Sequence, residues 1–177
     1  MSNKKFVAGD EFPAFTLPRV GGGELTIGQP SNGHDWQMVV VYRGKHCPMC
    51  TQYLIQLDRI KQDFFDIGID VVAVSADGEK KASTHVSKMN LSFPVAHDLS
   101  IAQMQTLGLY ISHPRSPEET DRPFAEPGIY VINEKGQVQV TDISNAPFAR
   151  PDLETLVGGL GFIRNSGNNY PIRGTHE

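Results

Sequence analysis

Two apolar runs on either side of one long amphipathic segment restrict this chain's fold more than any other feature. Trp36 to Tyr42 is the first run and Ile69 to Val74 the second. Runs of this kind mark central strands covered on both faces. Between them, Cys50, Leu54, Leu57, Ile60 and Phe64 recur near a 3.6-residue period, which predicts a helix from about Pro48 to Asp66, ended by Gly68. Strand, helix and strand make a right-handed parallel crossover, so the chain reads as an α/β protein.

The remaining elements fit around that unit. Phe12 to Pro18 carries a proline near each end and suits an edge segment. Gly21-Gly22-Gly23 reads as a hairpin turn into a short strand, Glu24 to Ile27. Those glycines lack the spacing of a phosphate-binding loop. After Asp77-Gly78 a helix carries Ala82, Val86 and Met89, then Phe93 to Asp98 reads as a third strand and Ser100 to Leu107 as a helix. Ile111 to Glu126 reads as a polar loop, of a length that is often functional. Ile129 to Ile132 and Gln137 to Ile143 form a hairpin around Asn133-Glu134-Lys135-Gly136. Pro151 opens a last helix that Gly158, Gly159 and Gly161 weaken, and the tail from Asn165 is polar. The expectation is a central mixed sheet flanked by helices, a thioredoxin-like plan with an N-terminal extension and a middle insertion.

With 177 residues and no internal repeat, the whole chain, 1–177, is expected to form a single domain. The net charge is −4, and no cluster of Lys and Arg exceeds two in a row, which argues against nucleic acid or an anionic membrane surface as partner. Met1 to Asp10 has no apolar run behind its lysines, and no stretch has the ~18 apolar residues of a membrane helix. The expected location is the cytoplasm.

Cys47 and Cys50 are the only cysteines. In a reducing compartment a structural disulfide is disfavoured, and one closing so small a loop stabilises little. With Cys47 as N-cap and Pro48 as first helical residue, the Cys47 sulfur faces the free N–H groups and positive end of the helix. Those groups favour a thiolate. Arg43 and Lys45 add positive charge. Cys50 lies one turn further in, on the stripe with Leu54 and Leu57. The pair is therefore expected to be asymmetric, with an exposed attacking Cys47 and an inward, protonated, resolving Cys50. A zinc site would need two more ligands. No further cysteine exists, and His46, His85, His97 and His113 lack ligand spacing, so no metal and no cofactor is expected. His46, next to Cys47, reads either as a tuning or proton-relaying group or as a surface side chain.

Val41-Tyr42-Arg43-Gly44-Lys45-His46-Cys47-Pro48-Met49-Cys50 resembles the Tyr-Arg-Gly-x-x-Cys-Pro-x-Cys signature of peroxiredoxin-like proteins of the alkyl hydroperoxide reductase/thiol-specific antioxidant group, within the thioredoxin superfamily. Phe12 to Leu17 and Glu126 to Asn133 are similar to further segments of that group, and the likeness spans about residues 10–164. The resemblance implies that Pro127 is the superfamily's cis-proline, with Glu126 bordering the cysteines and the preceding loop walling the site. The chain also departs from the family. Where peroxiredoxins carry Pro-x-x-x-Thr-x-x-Cys, Val40 and Gly44 occupy the proline and threonine places. Pro127 stands where their arginine is expected, and neither Arg43 nor Arg122 matches it by position. Val41 replaces the buried acid of thioredoxins.

Three readings follow. In the first, an antioxidant enzyme reduces peroxides through a Cys47 sulfenic acid resolved by Cys50, with thioredoxin or a similar dithiol as reductant. In the second, a disulfide oxidoreductase acts on protein disulfides with the same pair. The third is a non-enzymatic redox-sensing module. Arg43, Gly44, His46, Pro48, Glu126 and Pro127 are the expected binding or tuning residues, and a homodimer stays open.

Overall fold

The strands β3 (Trp36–Val41) and β4 (Ile69–Val74) run parallel, in register from Trp36 against Ile69 to Val41 against Val74. The helix α1 (Pro48–Asp66) joins them. In the computed structural model, which describes residues 5–176, they anchor a five-stranded mixed sheet. β5 (Val95–Ala96) lies parallel on the far side of β4. β8 (Gly128–Ile132) pairs antiparallel with β3, and β9 (Val138–Ile143) with β8. The sheet order is β5-β4-β3-β8-β9. Met1 to Lys4 and Glu177, part of the expected domain, lie outside the described residues.

The unbroken apolar runs reflect burial of both sheet faces, because successive strand side chains point to opposite sides. Met38, Val40, Tyr42, Val71, Ala73, Ile129 and Val131 share one core with Cys50, Leu54, Leu57 and Phe64 of α1. Val39, Val41, Val72, Val74, Tyr130 and Ile132 share the other with Phe12, Leu17, Ile27, Met104 and Leu107. Each fully buried aliphatic side chain stabilises the fold by roughly 1.5–3 kcal/mol. The helices α2 (Glu79–Met89) and α4 (Leu153–Arg164) belong to the α1 side through Met89, Leu153 and Leu160. The α4 helix forms despite its glycines because Leu153 and Leu160 are buried and Asp152 caps Thr155 N–H at 2.9 Å.

The N-terminal hairpin, β1 (Phe15–Pro18) with β2 (Glu24–Ile27), turns at the glycine run and lies on the sheet edge, where Val20 N–H donates to Val95 O at 2.9 Å. Two expectations need correction. The third strand is only Val95–Ala96: His97 N–H turns to Pro18 O, and Asp98 takes φ 60°, off the strand path. The segment 111–126 is not all loop, since β6 (Ile111–Ser112) and β7 (Phe124–Ala125) pair at its ends. α3 (Ile101–Thr106) precedes them, held by a capping box between Ser100 and Gln103. No helix among the described residues is long and apolar enough to cross a membrane.

Candidate active site

At the C-terminal end of β3 the chain turns sharply into α1. Gly44 takes φ +138°, a backbone conformation side chains rarely adopt. A Cβ there would stand 2.7 Å from Asp77 Oδ1. The same carboxylate accepts Lys45 N–H at 2.8 Å, so Asp77, from the loop after β4, fixes the corner. Gly44 stands in the threonine place of the Pro-x-x-x-Thr-x-x-Cys pattern, and both the backbone and Asp77 disfavour a threonine side chain there.

Cys47 is the N-cap, and Pro48 is the first residue of α1. The Cys47 sulfur accepts Cys50 N–H at 3.2 Å, and its carbonyl accepts Thr51 N–H at 3.1 Å. Both cysteines are free thiols. The Cys47 thiol is lowered to about 6, first by the Cys50 S–H donating to it, then by Cys50 N–H and Arg43, against the opposing pull of burial. The Cys50 thiol is pushed far up, first because its proton is held by Cys47 and then because it is buried.

Exposure differs from expectation. Cys47 is 1% exposed and Cys50 is fully buried, so Cys47 is not an exposed attacker. A cap sulfur turned onto its own helix N–H group faces inward. The solvent-facing residues of the turn are Lys45, Pro48 and Met49.

Arg43 joins the cysteines to the segment before β8. Its positive charge favours the Cys47 thiolate, and its Nε stands 3.0 Å from Glu126 Oε2. Its Nη2 is 3.7 Å from Glu119 Oε1, and its guanidinium lies 4.9 Å over the Phe124 ring. Ser112 Oγ donates to Glu126 Oε1 at 2.8 Å, and Arg115 Nε pairs with Glu119 at 2.9 Å. Glu126 therefore borders the pair, and the 111–126 segment walls the site. Arg122 is engaged elsewhere, with Asp98 and Asp121. Pro127 is not cis: no cis peptide bond occurs among the described residues. The chain passes from β7 into β8 with Glu126 N–H donating to Tyr110 O at 2.8 Å, which holds this segment in extended pairing.

The His46 ring packs edge-on against Phe124, 4.5 Å between centroids, with neither nitrogen hydrogen-bonded among the described residues. Burial first, then Arg43, lowers its pKa from the ordinary histidine value. Residues missed at the sequence level are Asp77, Glu119, Ser112 and Arg150. Arg150 Nε donates to Pro147 O at 2.8 Å, and its guanidinium lies 4.5 Å over the Tyr53 ring. The one available signal was Asp77-Gly78, read only as the lead into α2. No group of three or more His, Cys, Asp or Glu among the described residues is placed to hold a metal ion.

Residues 8–141 match the AhpC/TSA family. The chain belongs to that family. A curated protein of Mycobacterium tuberculosis named "Putative peroxiredoxin" is 27% identical over 106 residues, covering 60% of this chain and 66%, just under two thirds, of the relative. Among solved structures, Mycobacterium bovis AhpC is similar with TM-score 0.75 at 14% identity, covering 98% of this chain and 99% of that one. A peroxiredoxin-like protein from Aquifex aeolicus gives TM-score 0.73 at 17% identity, covering 89% of this chain and 87% of that one. This AhpC/TSA chain thus has the thioredoxin-type fold of peroxiredoxins, and its adjoining cysteines are compatible with the family's thiol-based oxidoreductase chemistry.

Proposed function

We propose that the protein is a thiol-dependent peroxidase built on one thioredoxin-like domain. The observation that carries this reading is Cys47: almost fully buried, its sulfur accepting Cys50 N–H at the start of α1, and its thiol held low by Cys50 and by the charge of Arg43. A thiolate is the nucleophile, and a small peroxide needs a narrower opening to reach it than a protein disulfide does. The Arg43 guanidinium beside the sulfur supplies N–H donors for the peroxide oxygens.

Cys47 as thiolate attacks one peroxide oxygen. The O–O bond breaks, the leaving alkoxide or hydroxide takes a proton, and Cys47 becomes a sulfenic acid. Cys50 attacks that sulfur and displaces the hydroxyl group as water, leaving a Cys47–Cys50 disulfide. Thioredoxin or a similar dithiol restores both thiols by exchange. A reducing compartment such as the cytoplasm suits this cycle.

Stopped-flow mixing of the reduced protein with hydrogen peroxide tests the reading. Consumption well above that of free cysteine, lost in Cys47→Ser, is expected. A rate no faster than free cysteine, with insulin reduction that depends on Cys47, would replace it with disulfide exchange.

A further inference from the structure

Cys50 must lose its proton before it can close on an oxidised Cys47, yet that proton is held chiefly by the Cys47 thiolate. This cause is temporary. Oxidation turns Cys47 from an anion into a neutral sulfenic acid, and the anionic acceptor for the Cys50 proton disappears. Whatever charge remains beside Cys50 then decides how readily it ionises.

The charged and titratable groups facing this corner can be followed element by element. Tyr42, at the end of β3, is a buried phenol kept protonated. Arg43 comes from the β3–α1 turn and is committed to Glu126 and Glu119. Cys47 and Tyr53 lie on α1, and burial also keeps Tyr53 protonated. Asp142 on β9 and Asp152 at the start of α4 act on Tyr53 in the opposite sense to Arg150. Arg150, just before α4, completes the set. It makes no ion pair among the described residues, and its buried Nη1 has no hydrogen-bond partner there. Tyr53, under its guanidinium, lies three residues beyond Cys50, which places the two side chains on one face of α1. The charge of Arg150 favours the ionised form of Cys50.

We infer that Arg150 is a positioning residue for the resolving step: its guanidinium, free of any ion pair among the described residues and stacked on Tyr53 on the Cys50 face of α1, stabilises the Cys50 thiolate that closes the disulfide. The inference rests on the peroxidase reading above. In the step, the Cys50 sulfur forms a bond to the Cys47 sulfur and the S–O bond breaks. The departing hydroxide takes up the proton that Cys50 released, so one water leaves and no further oxidant or reductant enters.

The test is rapid quenching of the full-length protein after hydrogen peroxide, with dimedone trapping of sulfenic acid and mass spectrometry, from pH 6 to 9. Wild type, Arg150→Gln and Arg150→Lys are compared. A one-unit rise in the Cys50 pKa removes about tenfold of its thiolate, and higher intrinsic nucleophilicity returns about threefold. R150Q is therefore expected to close the disulfide roughly threefold more slowly near neutral pH, with the deficit shrinking as pH rises. R150K, which keeps the charge, is expected to close near the wild-type rate. Sulfenic acid that forms in wild type and closes equally fast in R150Q overturns the role of Arg150 alone. So does a deficit equal in R150K and R150Q and flat with pH, which marks a merely structural part. A wild type that never forms sulfenic acid overturns the peroxidase reading and this inference with it.

Discussion

Arg43 Nε stands 3.0 Å from Glu126 Oε2, although the two residues belong to distant parts of the chain. The sheet brings them together. β3 and β8 are antiparallel with Val41 opposite Gly128, so the residues just beyond β3 and just before β8 meet at one end. Glu126 is buried, and an ion pair there repays its desolvation only with both partners present. Arg43→Met is expected to destabilise the protein by about 2–4 kcal/mol in urea unfolding, because it strands the carboxylate. Adding Glu126→Gln is expected to restore part of that loss. Additive losses in the double variant would show that the pair is not coupled.

Cys47 is expected to titrate near 6, followed by thiolate absorbance in the ultraviolet. Cys50→Ala removes the largest stabilising donor and is expected to move the midpoint upward. Cys50→Ser, which keeps an O–H, is expected to move it less. A C50A midpoint unchanged from wild type would show that the S–H donor is not what stabilises the thiolate.

The two shifts act on stability in opposite pH ranges. The lowered Cys47 thiol contributes stability that is complete above the ordinary value of 9.0 and lost as pH falls through about 6. The raised Cys50 thiol is neutral in both states below 9.0, and the fold loses stability as pH rises beyond it, where only the unfolded thiol ionises. The reduced protein, relative to Cys47→Ser/Cys50→Ser, is expected to be most stable near pH 8–9. The gain from pH 6 is on the order of 2 kcal/mol after screening is allowed for. A stability difference flat from pH 6 to 10 would contradict both shifts.

Gly44→Ala puts a methyl group into Asp77 at a backbone conformation of φ +138°. It is expected to cost about 1–3 kcal/mol and to slow Cys47 alkylation, because the turn that seats the cap must move. Wild-type stability and alkylation together would mean that the corner is not as tightly held as the Asp77 contact implies.

The crossover from Trp36 to Val74 was legible in the sequence because period and length speak directly for strand and helix. Cys47 as N-cap was legible for the same reason, from Pro48 and the preceding strand. The burial of Cys47 was not, since the neighbouring Arg43 is held by Glu126 and Glu119 from a segment that reads only as polar loop. Pairing between β6 and β7 is two residues on each side, too short to leave a period. Asp77 and Arg150 escaped notice because their partners, Lys45 and Tyr53, become neighbours only after the sheet and α1 assemble. Pro127 misled through likeness, since nothing in its local sequence distinguishes a cis from a trans bond.

The central claim is that Cys47 attacks and Cys50 closes. Reduced Cys50→Ser is treated with one equivalent of hydrogen peroxide at pH 7 in the presence of dimedone, and the products are mapped by peptide mass spectrometry. The prediction is a dimedone adduct on Cys47, while wild type left to react to completion under the same conditions ends mainly as the Cys47–Cys50 disulfide. No adduct in C50S, or an adduct forming as fast on Cys50 in Cys47→Ser, would contradict the account.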